Sequence, residues 1–208
     1  MRRAWAVAAL LCLAGCSGVT DLDLTTLSRG TWQRPMDVVT ALELDPGASV
    51  ADLGTGEGYF IPYLSEAVGA DGTVYAVDVE AEKVEALRER FLAESTNVIA
   101  VLGGYDDPKL PDAAVDLVLL VNTYHHIEDR PTYFRRLQRN LRPGGRVAVI
   151  EPNEELGGVL GLTLDEGHTS VAANVEAEML EAGYALVARH DFLPVQIFRV
   201  FAPAAEDR

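Results

Sequence analysis

A glycine-rich turn with an acidic residue before it is the first feature of the sequence that suggests chemistry. Residues 54–58 read Gly-Thr-Gly-Glu-Gly, and Asp52 precedes them by two positions. A turn that binds the diphosphate of a dinucleotide has glycine at its first, third and sixth positions. Counted from Gly54, the sixth position is Tyr59, and glycine stands at the fifth. The spacing therefore differs from that of a dinucleotide-binding turn.

The acidic residues around this turn indicate which ligand it would bind. Asp52 would repel a diphosphate, but its carboxylate suits a ligand that carries an ammonium group. Asp78 ends the next predicted strand, where an acceptor for two ribose hydroxyls is expected. The two acids, combined with glycines that let a ligand approach the backbone closely, favour S-adenosylmethionine (SAM) over a nicotinamide dinucleotide. The alternative is a tight strand-to-helix connection that binds no ligand.

Three histidines are candidates for acid–base chemistry. His125 and His126 follow a predicted apolar strand within residues 123–126 (Thr-Tyr-His-His), and His168 lies in a later acidic, glycine-containing stretch. A neutral imidazole accepts a proton near pH 7, so His126 or His125 is a candidate general base. Tyr124 is a third catalytic candidate because it stands beside them. His168 is a substrate-side candidate that would close over the same rim.

A metal site is the alternative use for these histidines. The three of them, with Glu128 or Asp129, supply enough ligand atoms, but the side chains of adjacent residues diverge and make poor metal-ligand spacing. Cys12 and Cys16 are the two cysteines of the chain, and both lie near its start. The sequence therefore predicts no bound metal, and it excludes a disulfide framework and a cysteine-ligated site in the folded body.

Length and charge limit the classes of partner. The chain has 208 residues, of which 49% are hydrophobic and 24% are charged, a balance that is typical of one globular domain. Its formal net charge is −15 at pH 7. Such an acidic surface repels phosphate backbones, so we expect a small-molecule partner rather than a nucleic acid. The sequence does not indicate an oligomeric state.

The first 30 residues are expected to direct the chain to its location. A basic start at Arg2 and Arg3 precedes an apolar run over residues 4–13, which is too short to span a bilayer. Residues 13–16 (Leu-Ala-Gly-Cys) resemble the bacterial lipobox. That resemblance implies a signal peptide over residues 1–15 and a lipid on Cys16. Because Ser17 follows the cysteine, it also implies sorting to the outer membrane, facing the periplasm. Residues 16–30 would then be a tether. The alternative is an unprocessed apolar helix on a cytoplasmic protein.

Strands and helices are predicted to alternate over residues 31–208. Strands are expected at residues 50–53, 73–77, 98–102, 115–121 and 146–150, and helices at 36–42, 59–68, 81–93, 130–141 and 171–182. Residues 184–190 and 195–201 are predicted to form a closing antiparallel hairpin. This order predicts a Rossmann-like, doubly wound α/β sheet that is mostly parallel, with helices on both faces and a ligand at the carboxyl ends of the strands.

The sequence resembles the class I SAM-dependent methyltransferases in three segments. Residues 50–60 are similar to the first motif of that family, residues 74–78 to the second, and residues 141–146 to the turn before strand five. The resemblance extends over residues 31–202. It implies SAM as cofactor, S-adenosylhomocysteine as product, and methyl transfer without a metal.

The resemblance also implies a role for individual residues. The cofactor-binding positions that it implies are Asp52, Gly54, Thr55, Gly56, Asp78, Val79, Tyr105, Asp106 and Asn122. The turn would approach the methionyl part, with Asp52 on its ammonium side, and Asp78 would hold the ribose. Tyr105 and Asp106 would flank the adenine, and Asn122 would lie under the sulfonium.

Two further segments resemble subgroups of that family. Residues 32–35 (Trp-Gln-Arg-Pro) are similar to a segment that covers the cofactor pocket in small bacterial methyltransferases, which makes Trp32 a substrate-side candidate; the alternative is a packing residue. Residues 123–126 resemble the histidine-bearing segment of the ubiquinone/menaquinone-type enzymes. These features predict a SAM-dependent methyltransferase acting on a small-molecule acceptor. The alternatives are an envelope lipoprotein that binds SAM or a nucleoside without turnover, and a degenerate scaffold.

Overall fold

A seven-stranded sheet forms the centre of the protein. We describe a computed structural model over residues 29–94, 97–153 and 171–205. The strands are β1 (Ser49–Leu53), β2 (Thr73–Asp78), β3 (Val98–Leu102), β4 (Val115–Val121), β5 (Leu141–Pro152), β6 (Tyr184–His190) and β7 (Gln196–Pro203). They are arranged in the order β3-β2-β1-β4-β5-β7-β6. Strands β1 to β5 pair in parallel, whereas β7 is antiparallel to both β5 and β6.

Helices cover both faces of the sheet. They are α1 (Arg29–Gln33), α2 (Pro35–Ala41), α3 (Ile61–Val68), α4 (Ala81–Glu94), α5 (Arg130–Leu137) and α6 (Val171–Glu181). Apolar side chains of α2, α3 and α4 form one core with one face of the sheet. Those of α5 and α6 form a second core on the opposite face. Strands β1 and β4 are therefore buried on both sides, which explains the almost wholly apolar sequence of β4; β1 also buries the polar residues Ser49 and Asp52. The predicted doubly wound fold is confirmed.

The structure differs from the prediction around residues 137–146. The predicted helix over residues 130–141 ends at Leu137, and a short 3-10 helix, Gln138–Asn140, follows it. The buried Asn140 side chain donates to the carbonyl oxygens of Leu110 and Pro111, so it is held by a loop rather than by the helix. Strand β5 then begins at Leu141, opposite Val115, and an irregularity in pairing precedes Arg146. The predicted strand 146–150 is the regular inner part of β5.

A short helix that the sequence did not predict, α1, precedes α2. Helix α1 begins at Arg29, inside the predicted tether. Arg34 lies between α1 and α2 and donates to the carbonyl oxygen of Phe192, at a distance of 2.9 Å. This bond ties the start of the domain to the loop before β7. In the described part of the chain, none of the helices is long and apolar enough to cross a membrane. The predicted signal peptide and the lipidation site at Cys16 lie outside the described residues.

Candidate functional site

A cavity of about 480 Å³ opens at the carboxyl ends of β1, β2 and β4. Strands β1 and β4 are neighbours in the sheet but not in the chain, so the chain leaves them in opposite directions at this point. The described residues that line the cavity are Leu53, Gly54, Gly56, Val77, Asp78, Val79, Glu80, Lys83, Gly103, Gly104, Tyr105, Pro108, Asn122, Thr123, His126, Ile127 and Tyr133. The volume is within the range of small-molecule sites.

The glycine-rich turn forms one wall of the cavity. At Gly54 its backbone comes so close to the loop after β4 that a side chain would not fit. Gly54 has a φ of +69°, and its amide donates to the carbonyl oxygen of Val77 at 2.8 Å. A Cβ atom at Gly54 would lie 2.3 Å from Cγ2 of Thr123. Gly56 has a φ of +58°, and a Cβ there would meet nothing within 4 Å. The turn thus packs closely against the loop after β4 at Gly54 and leaves open space at Gly56.

Asp78 ends β2 and brings a carboxylate to this cavity. Its Oδ2 accepts from the amide of Gly56 at 2.9 Å, and its Oδ1 accepts from the amide of Glu80 at 3.0 Å. An ionised carboxylate has about four acceptor positions. Each oxygen of Asp78 therefore keeps capacity for one more donor, and the two backbone bonds fix the plane in which these donors would lie.

Asp52 lies behind the glycine-rich turn and does not line the cavity. Its Oδ2 accepts from the Thr55 hydroxyl at 2.8 Å, and both side chains are buried. Burial raises the pKa of Asp52 to about 7, against the opposing effects of the Thr55 hydrogen bond and the charge of Arg29. The guanidinium of Arg29 lies over the Tyr59 ring at 4.1 Å from its centroid. The structure therefore places Asp52 and Thr55 together beneath the turn.

The loop after β4 brings His126 to the cavity and keeps the other two catalytic candidates inside the protein. His126 is exposed and lines the cavity. The His125 side chain is 6% exposed, and its Nδ1 lies 2.7 Å from Oε2 of Glu151. Tyr124 is fully buried, stacks on Phe134, and donates its hydroxyl to Glu178 at 2.8 Å. The pKa of Tyr124 is raised by burial and then by that contact with Glu178.

Residues 50–145 match the family described as "Methyltransferase domain". A solved structure titled as a SAM dependent methyltransferase from Aquifex aeolicus superimposes with a TM-score of 0.75 and 26% identity, over 86% of this chain and 94% of that one. The ubiquinone/menaquinone biosynthesis C-methyltransferase of Hahella chejuensis is 32% identical over 50% of this chain and 43% of its own length. Nocamycin O-methyltransferase of Saccharothrix syringae is 28% identical over 65% of this chain and 48% of its own length.

These findings support a class I methyltransferase family. The chain spans less than half the length of the two curated relatives named above. The part that matches the methyltransferase domain contains β1 to β4 and the start of β5, with the glycine-rich turn, Asp78 and the loop after β4. All of the cavity lining given above lies within this match.

The remaining predicted cofactor positions are distributed around the cavity. Val79 and Tyr105 line it, although Tyr105 is 80% exposed. The Asp106 side chain lies outside the lining, also strongly exposed, at 3.8 Å from Arg136. Asn122 lines the cavity with a φ of +54°, and its Oδ1 accepts from the buried Gln196 at 2.7 Å. Gln196 is on β7 and thus fixes Asn122 from a distant part of the chain.

The substrate-side candidates receive less support from their positions. Trp32 is half-buried in α1 and is not part of the described cavity lining, and His168 lies outside the described residues. No group of three histidine, cysteine, aspartate or glutamate side chains able to hold a metal occurs within residues 29–94, 97–153 and 171–205. Methyl transfer without a metal stays a prediction.

Sequence reasoning missed Glu151, which is not among the candidate site residues given above. The structure buries it completely at the end of β5, where it contacts both Tyr124 and His125. The position of Glu151 near the end of β5 could have indicated this contact. Strand β5 pairs with β4, and the carboxyl ends of paired parallel strands meet at one edge of the sheet.

Proposed function

We propose that this protein is a SAM-dependent methyltransferase that acts on a small-molecule acceptor. The observation that carries the proposal is the Asp78 carboxylate, fixed by two backbone amides at the rim of a cavity of about 480 Å³ beside an open glycine-rich turn. The match of residues 50–145 to a methyltransferase domain supports it.

The residues that are present fit SAM. A ribose diol offers two hydroxyl donors, and the two oxygens of Asp78 each keep an acceptor position. At Gly56, a side chain would occupy open space beside the cavity, so glycine leaves that space for a ligand. Val79 offers an apolar contact on the same wall. When bound, SAM would supply a methyl group that is activated by a positively charged sulfur.

The residues of the chain then have to position the acceptor and remove its proton. Asn122 lines the cavity and is held in orientation by its hydrogen bond from Gln196. Ile127 and Tyr133 give that side an apolar surface. His126 is the exposed imidazole of the lining, and we assign it the role of general base. Alignment of the reactants accounts for the rest of the catalysis.

The acceptor is proposed to be a neutral or apolar small molecule. The net charge of −15 disfavours anionic acceptors and nucleic acids. The names of two relatives describe methylation at carbon in quinone biosynthesis and at oxygen in nocamycin. Because residues 1–16 resemble a lipoprotein signal, we further propose that the protein is anchored to the outer membrane by a lipid on Cys16 and faces the periplasm. An apolar acceptor that partitions into lipid is consistent with that location.

Calorimetric titration tests the cofactor assignment. SAM and S-adenosylhomocysteine are added separately to the purified full chain in mild detergent, and NAD serves as the matched control ligand. Binding of the first two in the micromolar range, without binding of NAD, is the expected result. Binding without transfer of a radiolabelled methyl group to any tested acceptor would favour the non-catalytic binding protein. Absence of binding would contradict both assignments and favour a scaffold.

A further inference from the structure

Glu151 is a fully buried carboxylate that uses both of its oxygens on the loop that carries the histidines. Its Oε1 accepts from the backbone amide of Tyr124 at 2.8 Å. Its Oε2 lies 2.7 Å from Nδ1 of His125. The backbone amide is a permanent donor, so one carboxylate oxygen always faces it. The second oxygen is then aimed at the His125 ring.

This arrangement determines which nitrogen of His125 carries a proton. An ionised carboxylate can only accept, so Nδ1 of His125 must be the donor in the 2.7 Å contact. Arg130 and Glu178 are two further charged groups near Tyr124, and they pair with each other at 2.6 Å. The His125 ring is therefore fixed in tautomer and in plane by Glu151.

The fixed ring of His125 supports the ring of His126. The two ring centroids are 4.0 Å apart and the ring planes are inclined by 48°. His126 faces the cavity, whereas His125 is 6% exposed. A neighbour that is held by a buried carboxylate limits the orientations that the His126 ring can adopt. The chain of contacts thus runs from Glu151 through His125 to the imidazole at the cavity.

We propose that Glu151 is a positioning residue that holds His125, and through it His126, for removal of a proton from an acceptor hydroxyl of phenolic type. The inference rests on the proposed function and deepens it. The acceptor's O–H bond breaks, its electron pair stays on the acceptor oxygen, and the proton bonds to a ring nitrogen of His126. Because His126 is exposed, the imidazolium returns the proton to solvent. An acceptor without a removable proton would not need this arrangement.

The variant Glu151→Gln gives a specific expectation, because an amide has one accepting oxygen and one donating nitrogen. The Tyr124 amide can only donate, so the glutamine oxygen is expected to face it. The glutamine NH₂ group then faces His125 and requires Nδ1 to accept. The proton of His125 is expected to move from Nδ1 to Nε2. Long-range ¹H–¹⁵N NMR of the imidazoles in the ligand-free full chain measures this reversal.

The control is Glu178→Gln, which changes the carboxylate on α6 that contacts Tyr124 of the same loop. Glu178 contacts the Tyr124 hydroxyl and Arg130 but is not hydrogen-bonded to either ring of the pair. This variant is expected to keep the wild-type tautomer of His125. The NMR chemical shifts of the His126 ring protons are expected to change in Glu151→Gln and to keep their wild-type values in Glu178→Gln. The variants His125→Asn and His126→Asn assign the signals.

Kinetics supply the second readout, with radiolabelled SAM as donor and hydroquinone as the acceptor probe. Glu151→Gln is expected to lower kcat about tenfold, part of what a general base contributes, while KM for SAM stays at the wild-type value. A wild-type His125 that carries its proton on Nε2, or a variant without reversal, would overturn the positioning role. Reversal with unchanged kcat would overturn its role in the reaction.

The failure of the proposed function gives a different result. A wild-type chain that binds neither SAM nor S-adenosylhomocysteine contradicts the methyltransferase assignment and the catalytic part of this inference together. The NMR comparison then still decides whether Glu151 orders the two histidines. A chain that binds S-adenosylhomocysteine but does not methylate hydroquinone overturns the phenolic acceptor class alone.

Discussion

Adding one methyl group at Gly54 is expected to destabilise the fold by pushing apart the two loops that form the cavity. In Gly54→Ala, the new Cβ would lie 2.3 Å from Cγ2 and 2.4 Å from Oγ1 of Thr123. These distances are far shorter than van der Waals contact, so Thr123 must move. Its hydroxyl bond to the carbonyl oxygen of Val121, at 3.1 Å, would be strained by that movement. The residue at position 54 must also keep a φ of +69°.

The expected magnitude follows from these two contributions. A non-glycine residue in the left-handed region costs about 1–2 kcal/mol. Overpacking by one methyl group adds about 1–3 kcal/mol. Gly56→Ala is the matched control, because Gly56 has a φ of +58° and no atom within 4 Å of the new Cβ. The control isolates the backbone contribution, so Gly54→Ala should be less stable than Gly56→Ala by about 1–3 kcal/mol.

Urea unfolding of the full chain, followed by circular dichroism, measures both free energies. Thr123→Ala provides the second half of a double-mutant cycle, since it removes the two atoms closest to the new Cβ and leaves Thr123 Cβ at 2.9 Å. We expect the double variant to lose less unfolding free energy than the sum of the losses in the two single variants, by about 1–2 kcal/mol. Equal destabilisation by Gly54→Ala and Gly56→Ala, together with additivity in the cycle, would refute the close approach.

Four further predictions concern the ligand, the reaction, the pH dependence and the location. Asp78→Asn is expected to weaken SAM binding about tenfold in calorimetry, because an amide offers one accepting oxygen instead of two; unchanged affinity would exclude Asp78 as the ribose acceptor. His126→Asn is expected to keep the affinity for S-adenosylhomocysteine and to lower turnover about 10²-fold or more; equal rates would remove His126 as the base. The pKa of Asp52 is raised by burial to about 7 from 3.8. The folded state thus holds a proton that the unfolded state releases, and stability falls as pH rises from about 4 to about 7. Asp52→Asn should lose this slope in urea titrations, and a slope equal to that of the wild type would contradict the assignment. Cys16→Ser is expected to move the protein from the membrane fraction to the soluble fraction, and an unchanged distribution would argue against lipidation.

The fold was largely predictable because its signals are local. Strand β4 is an almost wholly apolar run between turn signals, as a strand buried on both faces should be. The boundary between α5 and β5 was not predictable in the same way. Residues 138–141 have sequences compatible with a helix, and the structure ends that helix through contacts of Asn140 with a loop about 30 residues earlier in the chain. A contact between distant segments leaves no periodic pattern in the sequence.

The same distinction applies within the site. Asp78, Gly54 and Gly56 were identifiable from the sequence, because each follows or ends a predicted strand. The two strands, β1 and β2, are paired in parallel, so their carboxyl ends lie on one wall of the cavity. For residues 124–126, the sequence did not indicate which side chains face the cavity. That choice depends on Glu151 and Glu178, which lie on β5 and α6 and hold the loop from inside the protein.

The two sides of the cavity therefore differ in how they are built. On the cofactor side, the Asp78 carboxylate is held by the backbone amides of Gly56 and Glu80, so these contacts lie within one continuous stretch of the chain. The acceptor side requires β4, β5 and α6 to be packed together, since three contacts with Tyr124 and His125 come from the latter two elements. A change at Glu151 or Glu178 alters the acceptor side without touching Asp78. With His126 as the base, substitutions on β5 and α6 are expected to change which acceptor is used. Substitutions at the ends of β1 and β2 are expected to change the affinity for SAM.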